Sequence, residues 1–311
     1  MNIETFKKMC KVHNQYDLKK VLKKVLERYY SKVINGDGFL YAPSKNTDIM
    51  LVAHMDTVHK DKCKDIHGES VLWSPQGIGG DDRCGVFMIC EILRTTDFRP
   101  AIVFCEDEEI GCVGAEKFAN WLEKKKEAKD IKYLIELDRK NATDAVYYSC
   151  GNRDFKDYIH NITGYTEATG SYSDICEISP VLNVASVNLS CGYYKEHTLD
   201  HYVVVSQMEH TFEVVKKLLA DADNVEAFDY NYFDPWAFEI SSYKTWDEEF
   251  LVASMKNGKM TISYHYAVSL EEAIGMFLIE HDDTTYSEIV FAGDPYDFDY
   301  DSYGCEIAFD Y

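Results

Sequence analysis

Four short apolar runs constrain the fold of this chain most. They are IMLVAH (49–54), AIVFCEDEE (101–109), KYLIELD (132–138) and VLNVASVNLSCG (181–192). None alternates apolar with polar residues, which is the pattern of strands buried on both faces. Helical patterns lie between and after them: RCGVFMICEILRTT (83–96), GAEKFANWLEKKKEAK (114–129), NRDFKDYIHNI (152–162) and a closing VVSQMEHTFEVVKKLLADA (204–222). Residues 3–33 also read as helical. The alternation predicts an α/β fold, a mostly parallel twisted sheet sandwiched by helices. No stretch of about 18 apolar residues is present, so no membrane span is expected. The N-terminus lacks an apolar core segment, so no signal peptide is expected. The ten cysteines include no C-x-x-C pair, and Cys90 and Cys105 sit in apolar runs. A reducing, cytoplasmic setting is the expectation.

Charge divides the chain. The net charge is -22, and residues 221–311 hold 21 of the 54 acidic residues but only 3 of the 32 basic ones. The same segment holds 20 of the 43 aromatics. Two domains are predicted, 1–220 and an acidic, aromatic-rich 221–311. The acidity excludes nucleic-acid phosphate as a partner.

In a doubly wound sheet, sites form beyond the carboxyl ends of the strands. Here the first run ends at His54 and Asp56, the second at Glu106-Asp107-Glu108-Glu109, and the third at Asp138. The fourth is followed by CGYYKEHTLDH, with His197 and His201, and GIGGDDRCG places Asp81 and Asp82 before a helix. Taken singly, each has a plain structural explanation: a solvated histidine, a helix cap, an acidic loop. Taken together, carboxylates converging on one edge would repel one another, and divalent ions remove that repulsion. A pair of zinc ions roughly 3.5–4 Å apart can share one bridging carboxylate. Two histidines and three carboxylates would hold such a pair and leave one glutamate free as a base. His54 and Asp56 share a face, because Met55 points the other way in an extended chain. His201 and His210 rival His197 for the last position.

With these motifs in this order, the chain resembles the co-catalytic zinc exopeptidases of the MH clan, over roughly residues 35–220. That group includes aminopeptidases, peptidase T-like tripeptidases, carboxypeptidases and related deacylases. The resemblance of HMDTV implies His54 as a ligand and Asp56 as the residue that orients it. GIGGDDRCG implies Asp81 as the bridging ligand, followed by a cis peptide. FCEDEEIG implies Glu108 as general base and Glu109 as ligand. LIELD implies Asp138 as ligand, and YYKEHTLDHY selects His197. GSYSDICEISP implies that Asp174 lies near the substrate. The implied cofactor is two Zn²⁺, with Mn²⁺ or Co²⁺ able to occupy the same donors. The implied substrate is a peptide or an acylated small molecule.

Only 24 residues separate Asp56 from Asp81, and 58 separate Asp138 from His197. Neither gap holds an inserted domain of ordinary size, so the lid domain of many relatives is expected to be missing. In the tail, FLVASMKNGKMTISYHY reads as a hairpin turning at Asn257-Gly258. VSLEEAIGMFLIEH reads as a helix opened by Ser269, and YSEIVFAGD as a strand. A small α+β appendage is predicted, with a floppy acidic end packed by its aromatics. The other function of the tail would be to meet a protein partner or a basic substrate. The alternative to a hydrolase is a non-catalytic binding protein on the same fold, with the acidic appendage as its surface.

Overall fold

The computed structural model describes residues 1–230 apart from 129, and beyond them residues 248–256, 259–267, 273–274, 276–278, 281, 288–293 and 306–309. Two compact units result, Met1–Pro235 and Trp236–Tyr311.

The first unit opens with α1 (Ile3–Cys10) and α2 (Gln15–Leu26). The helical stretch read over 3–33 is thus two helices, the second ending at Leu26, with 27–33 not helical. The break comes from Asn14, whose side chain accepts the Asp17 amide at 2.9 Å and caps α2. After β1 (Ile34–Asn35) come β2 (Phe39–Ala42), β3 (Thr47–His54) and β4 (Val71–Trp73). Next are α3 (Gly80–Thr95), β5 (Pro100–Cys105), α4 (Val113–Lys125) and β6 (Tyr133–Arg139). Then follow β7 (Asp144–Val146), α5 (Arg153–Thr163), β8 (Thr166–Ala168) and α6 (Asp174–Leu182). The unit closes with β9 (Ser186–Ser190), β10 (Tyr193–Tyr194), β11 (Tyr202–Val204) and α7 (Val205–Asp221).

The main sheet has the order β1-β2-β5-β3-β6-β9-β7-β8. Its centre, β5-β3-β6-β9, is parallel throughout, and these are the four apolar runs of the sequence. Along β3, Leu51 and Ala53 face one core while Met50 and Val52 face the other. That is why the run shows no alternation. The larger core lies under α1, α2, α3, α5 and α7, and the smaller under α4 and α6. Helices thus cover both faces, as predicted. The 58 residues between Asp138 and His197 form β7, α5, β8, α6, β9 and β10, all within this unit. They leave no segment for a lid. Pattern reading missed α6, because Pro180 lies inside it. It also missed the small antiparallel sheet β10-β11-β4.

The unit boundary falls at 235, about one short segment beyond the charge break at 220. Residues after α7 return along the first unit. The Phe228 carbonyl accepts the Ala185 amide at 2.7 Å, and its ring packs on Tyr133, Phe155 and Tyr158.

The second unit is built on β12 (Glu248–Lys256) and β13 (Lys259–Ala267), antiparallel from Glu248↔Ala267 to Lys256↔Lys259. This is the predicted hairpin; its turn residues 257–258 lie outside the described residues. β14 (Ile289–Gly293) extends it on one side and β15 (Glu306–Phe309) pairs parallel to β13 on the other. Residues 273–274 and 276–278 are helical, with Ala273, Ile274 and Phe277 buried against Val252. The expected helix start at Ser269 lies outside the described residues, as do 294–305 and 310–311 of the acidic end. Residues 306–309, read as part of a floppy terminus, are a strand.

Candidate metal centre

The site residues gather at the carboxyl edge of the parallel strands. His54 is the last residue of β3 and is 1% exposed. Its Nδ1 lies 3.2 Å from Asp56 Oδ1. Asp56 also accepts the amides of Glu108 at 3.1 Å and Glu109 at 3.0 Å. One carboxylate therefore fixes both the imidazole and the paired-glutamate turn. Gln15 pins the other side of that turn, donating to Asp107 Oδ1 at 2.6 Å and accepting the Asp107 amide at 3.0 Å.

Asp81 enters from the start of α3, where the Asp81–Asp82 peptide is cis. Its two carboxylate oxygens face different partners. Oδ1 is 3.0 Å from His54 Nε2, and that nitrogen is 3.3 Å from Asp138 Oδ1. Oδ2 is 3.5 Å from His197 Nε2, and that nitrogen is 2.9 Å from Glu109 Oε2. Asp82 lies beside His54 and Asp138, with ligand atoms within 4.8 Å of theirs, but its carboxylate accepts the amides of Gly85 at 2.8 Å and His54 at 3.3 Å. Gly85 is required here, since a Cβ would lie 1.9 Å from the Leu137 carbonyl oxygen. Its absence lets α3 approach β6 and bring Asp81 to Asp138.

Sequence reading missed several bracing residues. Arg83, 2% exposed, donates to the carbonyls of Met55 at 2.8 Å, Asp56 at 3.2 Å and Val12 at 3.4 Å. Asn188 accepts the Asp138 amide at 2.9 Å, and the Tyr193 hydroxyl donates to the Asp138 carbonyl at 2.9 Å. Tyr193 stands inside the quoted CGYYKEH motif, so a signal for it existed. Asn188 lies in an apolar strand that gives none. Of the rival histidines, His201 is fully buried with Nδ1 3.4 Å from His59 Nε2, and His210 stacks on Tyr165 at 5.9 Å. Neither joins the carboxylates that face His197.

The electrostatics show what this edge lacks. Burial alone would lower the His54 imidazole, yet Asp138, Asp56 and Asp81 lift it well above its usual range. The Asp81 hydrogen bond, and then Glu109, raise His197 to about 9, against a lowering by burial. Burial, and then Asp81, push Glu109 up to about 7. Burial raises Glu108 in the same direction, with Asp81 and Asp56 adding to it. Burial would raise Asp81 too, but the two histidines hold it low. Every group draws on protons to offset crowded negative charge.

A divalent ion is the alternative source of that positive charge. Donors about 2.1 Å from a tetrahedral ion lie roughly 3.4 Å apart. The His54–Asp81–Asp138 and His197–Asp81–Glu109 contacts span 2.9–3.5 Å. Among the described residues, His54, Asp81 and Glu109 offer ligand atoms within 4.8 Å of one another, as do His54, Asp82 and Asp138. The buried Glu109 Oε1 has no hydrogen-bond partner. The donor set fits metal ions.

Behind Glu108, on the α4–α6 side, lies a second pair of acids. Glu136 and Asp174 are both 0% exposed, and none of their four carboxylate oxygens has a hydrogen-bond partner. Burial, and then Glu108, push Asp174 up to about 7. Burial, and then Asp174, raise Glu136 well above its usual range.

Comparison with known proteins bears on the family and the fold. Residues 40–178 match peptidase family M28. The chain is similar to a solved aminopeptidase PepT from Bacillus cereus, at 15% identity and a TM-score of 0.56 over 71% of this chain and 98% of that one. It is similar to a tripeptidase from Staphylococcus aureus, at 13% identity and 0.58 over 72% and 98%. It is also similar to the Pyrococcus horikoshii TET1 peptidase, at 14% and 0.53 over 70% and 98%, a protein that can assemble into a tetrahedron or a large octahedral shell. No curated protein matches it by sequence. Among the described residues, no helix is long and apolar enough to cross a membrane. The family match and the shared fold support a metal-dependent peptidase.

Proposed function

We propose that this chain, whose residues 40–178 match peptidase family M28, is an exopeptidase holding two zinc ions, with Glu108 as its base. The observation that carries this reading is the division of Asp81 between two donor sets, Oδ1 towards His54 and Oδ2 towards His197. In the proposal, His54, Asp81 and Asp138 hold one ion, and Asp81, Glu109 and His197 hold the other. When bound, the ions supply positive charge that acidifies a water and polarises the scissile carbonyl.

The remaining chemistry is assigned to this chain's side chains. Asp56 keeps a proton on His54 Nδ1 and so leaves Nε2 free to ligate. Through the Glu108 and Glu109 amides it also holds the base in register with the ligands. Glu108 takes a proton from the attacking water and returns it to the leaving amine. Its burial raises it from the ordinary carboxylate range towards that task. Asp174, expected near the substrate, is fully buried and interacts with Glu108 through charge. The substrate is a peptide, or an acylated small molecule, cleaved at a terminal amide.

A screen of aminoacyl, N-acyl and dipeptide substrates with zinc, cobalt or manganese tests the reading. Hydrolysis of one class that a chelator abolishes and added metal restores is the expected result. No turnover of any class by metal-loaded protein sinks it.

A further inference from the structure

The proposed ligands are not held alike. The His54 side chain is 1% exposed and those of Asp81, Glu109 and Asp138 are 8–9% exposed, whereas that of His197 is 57% exposed. His197 comes from the turn between β10 and β11. Its φ is 60° and that of Lys195 is 54°, a left-handed region that residues other than glycine seldom occupy. Inside the turn, the Thr198 hydroxyl donates to the Lys195 carbonyl at 2.8 Å, and Lys195 pairs with Asp200 at 3.5 Å. Those contacts shape the turn without fixing where it sits.

A tie from outside runs from Lys140, two residues past Asp138, to Glu196, immediately before His197. Lys140 Nζ donates to Glu196 Oε1 at 2.5 Å, and both side chains are half-buried. The backbone at the lysine end is fixed to β9 and the residues after it. The Lys140 carbonyl accepts the Ser190 hydroxyl at 2.6 Å. The Arg139 carbonyl accepts the Cys191 amide at 2.6 Å, and the Asn141 amide donates to the Tyr193 carbonyl at 3.0 Å. The ion pair therefore joins the segment carrying Asp138, of one donor set, to the turn carrying His197, of the other.

We propose that Lys140 and Glu196 are positioning residues for the ion assigned to His197 and Glu109, and that their ion pair sets how tightly that ion binds. The inference rests on the two-zinc reading. Residues that orient a ligand from behind ordinarily change metal affinity by roughly 10–100-fold. This pair reaches the imidazole through one peptide unit and a half-buried contact, so about tenfold is expected, the low end of that range. Charge and position have opposite signs here. Removing a lysine charge beside two cations would, by Coulomb attraction alone, tighten both ions. Weakening of one ion therefore reports lost positioning. Half-buried ion pairs add little to global stability, so unfolding of the metal-free chain should move little.

The test titrates zinc into the full metal-free chain in competition with a chromophoric chelator and resolves two stepwise dissociation constants. Denaturant unfolding is measured alongside. Lys140→Met should weaken one constant about tenfold and leave the other unweakened, with the unfolding midpoint kept. Lys140→Arg, which retains the charge and the N–H donors, should keep the wild-type constants. In a His197→Ala background one zinc should remain, and adding Lys140→Met should not weaken it. A residue that merely supports the Asp138 segment would weaken that remaining ion. The inference is overturned if Lys140→Met weakens both constants or neither, if Lys140→Arg is as weak as Lys140→Met, or if the effect persists without His197. Fewer than two equivalents in wild type overturns the two-zinc reading and this inference with it.

Discussion

Two groups of buried acids share one region of the first unit, and they differ in their company. At the strand edge, Asp81, Asp138 and Glu109 face two imidazoles, with ligand atoms 2.9–3.5 Å apart. Behind Glu108, Glu136 and Asp174 have carboxylate oxygens without hydrogen-bond partners, and burial outweighs the His54 charge that acts on Asp174. A buried carboxylate without a counter-charge takes up a proton instead of remaining ionised. In the first group burial also raises Glu109 and Asp138, but the two imidazoles hold Asp81 low, and this is the group proposed to hold metal. The second is built to be neutral.

Four substitutions sharpen or break that contrast. The largest effect belongs to Asp81→Asn, which removes the carboxylate shared by both donor sets. Bound zinc, counted by elemental analysis, and hydrolysis should fall together to background; a variant that keeps its metal breaks the comparison at its charged end. Glu108→Gln comes next. Steady-state kinetics should show kcat reduced by roughly 10²–10⁴-fold with metal content unchanged, and retained turnover would remove Glu108 as base.

The third effect is a pH dependence. Asp174 is raised from 3.8 to about 7 in the folded chain. A group so raised favours the fold below its unfolded value, and that contribution is lost as pH rises through the folded one. Asparagine does not titrate, so wild type should lose stability relative to Asp174→Asn between pH 4 and about 7. At about 1.4 kcal/mol per pH unit, the upper bound is about 4 kcal/mol. Denaturant titrations in a fixed metal state measure it, and a gap that runs the other way with pH would mean Asp174 is ionised. The smallest effect is Glu136→Gln. If this carboxyl is neutral, the amide is a near-isostere, and stability should change by less than about 1 kcal/mol with metal retained. A loss of about 3–5 kcal/mol would instead indicate a buried, paired charge.

Much of this was legible in the sequence because the central strands are buried on both faces. Unbroken apolar runs such as 49–54 and 132–138 mark such strands directly, and their last residues mark the edge where ligands gather. His54, Asp138 and the paired glutamates were found that way. Asp81 and Asp82 came from their place before a helix, and the family resemblance chose Asp81 between them. The second acid pair was not legible as a pair. Glu136 sits inside the apolar run KYLIELD, where one charged letter says nothing of what lies opposite, and Asp174 reaches it only through the fold of α6. Pro180 hid that helix, because proline ordinarily ends one. The bracing roles of Arg83 and Asn188 depend on long-range contacts to Met55 and Asp138, which no local pattern encodes. The split of 3–33 into two helices rested on a single capping asparagine.

The claim that one carboxylate is shared by two donor sets is tested most directly by counting metal. The purified chain should be loaded with excess zinc, dialysed and analysed for metal per chain, beside Asp81→Asn treated in the same way. The account predicts about two equivalents for wild type and close to none for the variant. One equivalent in wild type, or zinc retained by Asp81→Asn, would contradict it.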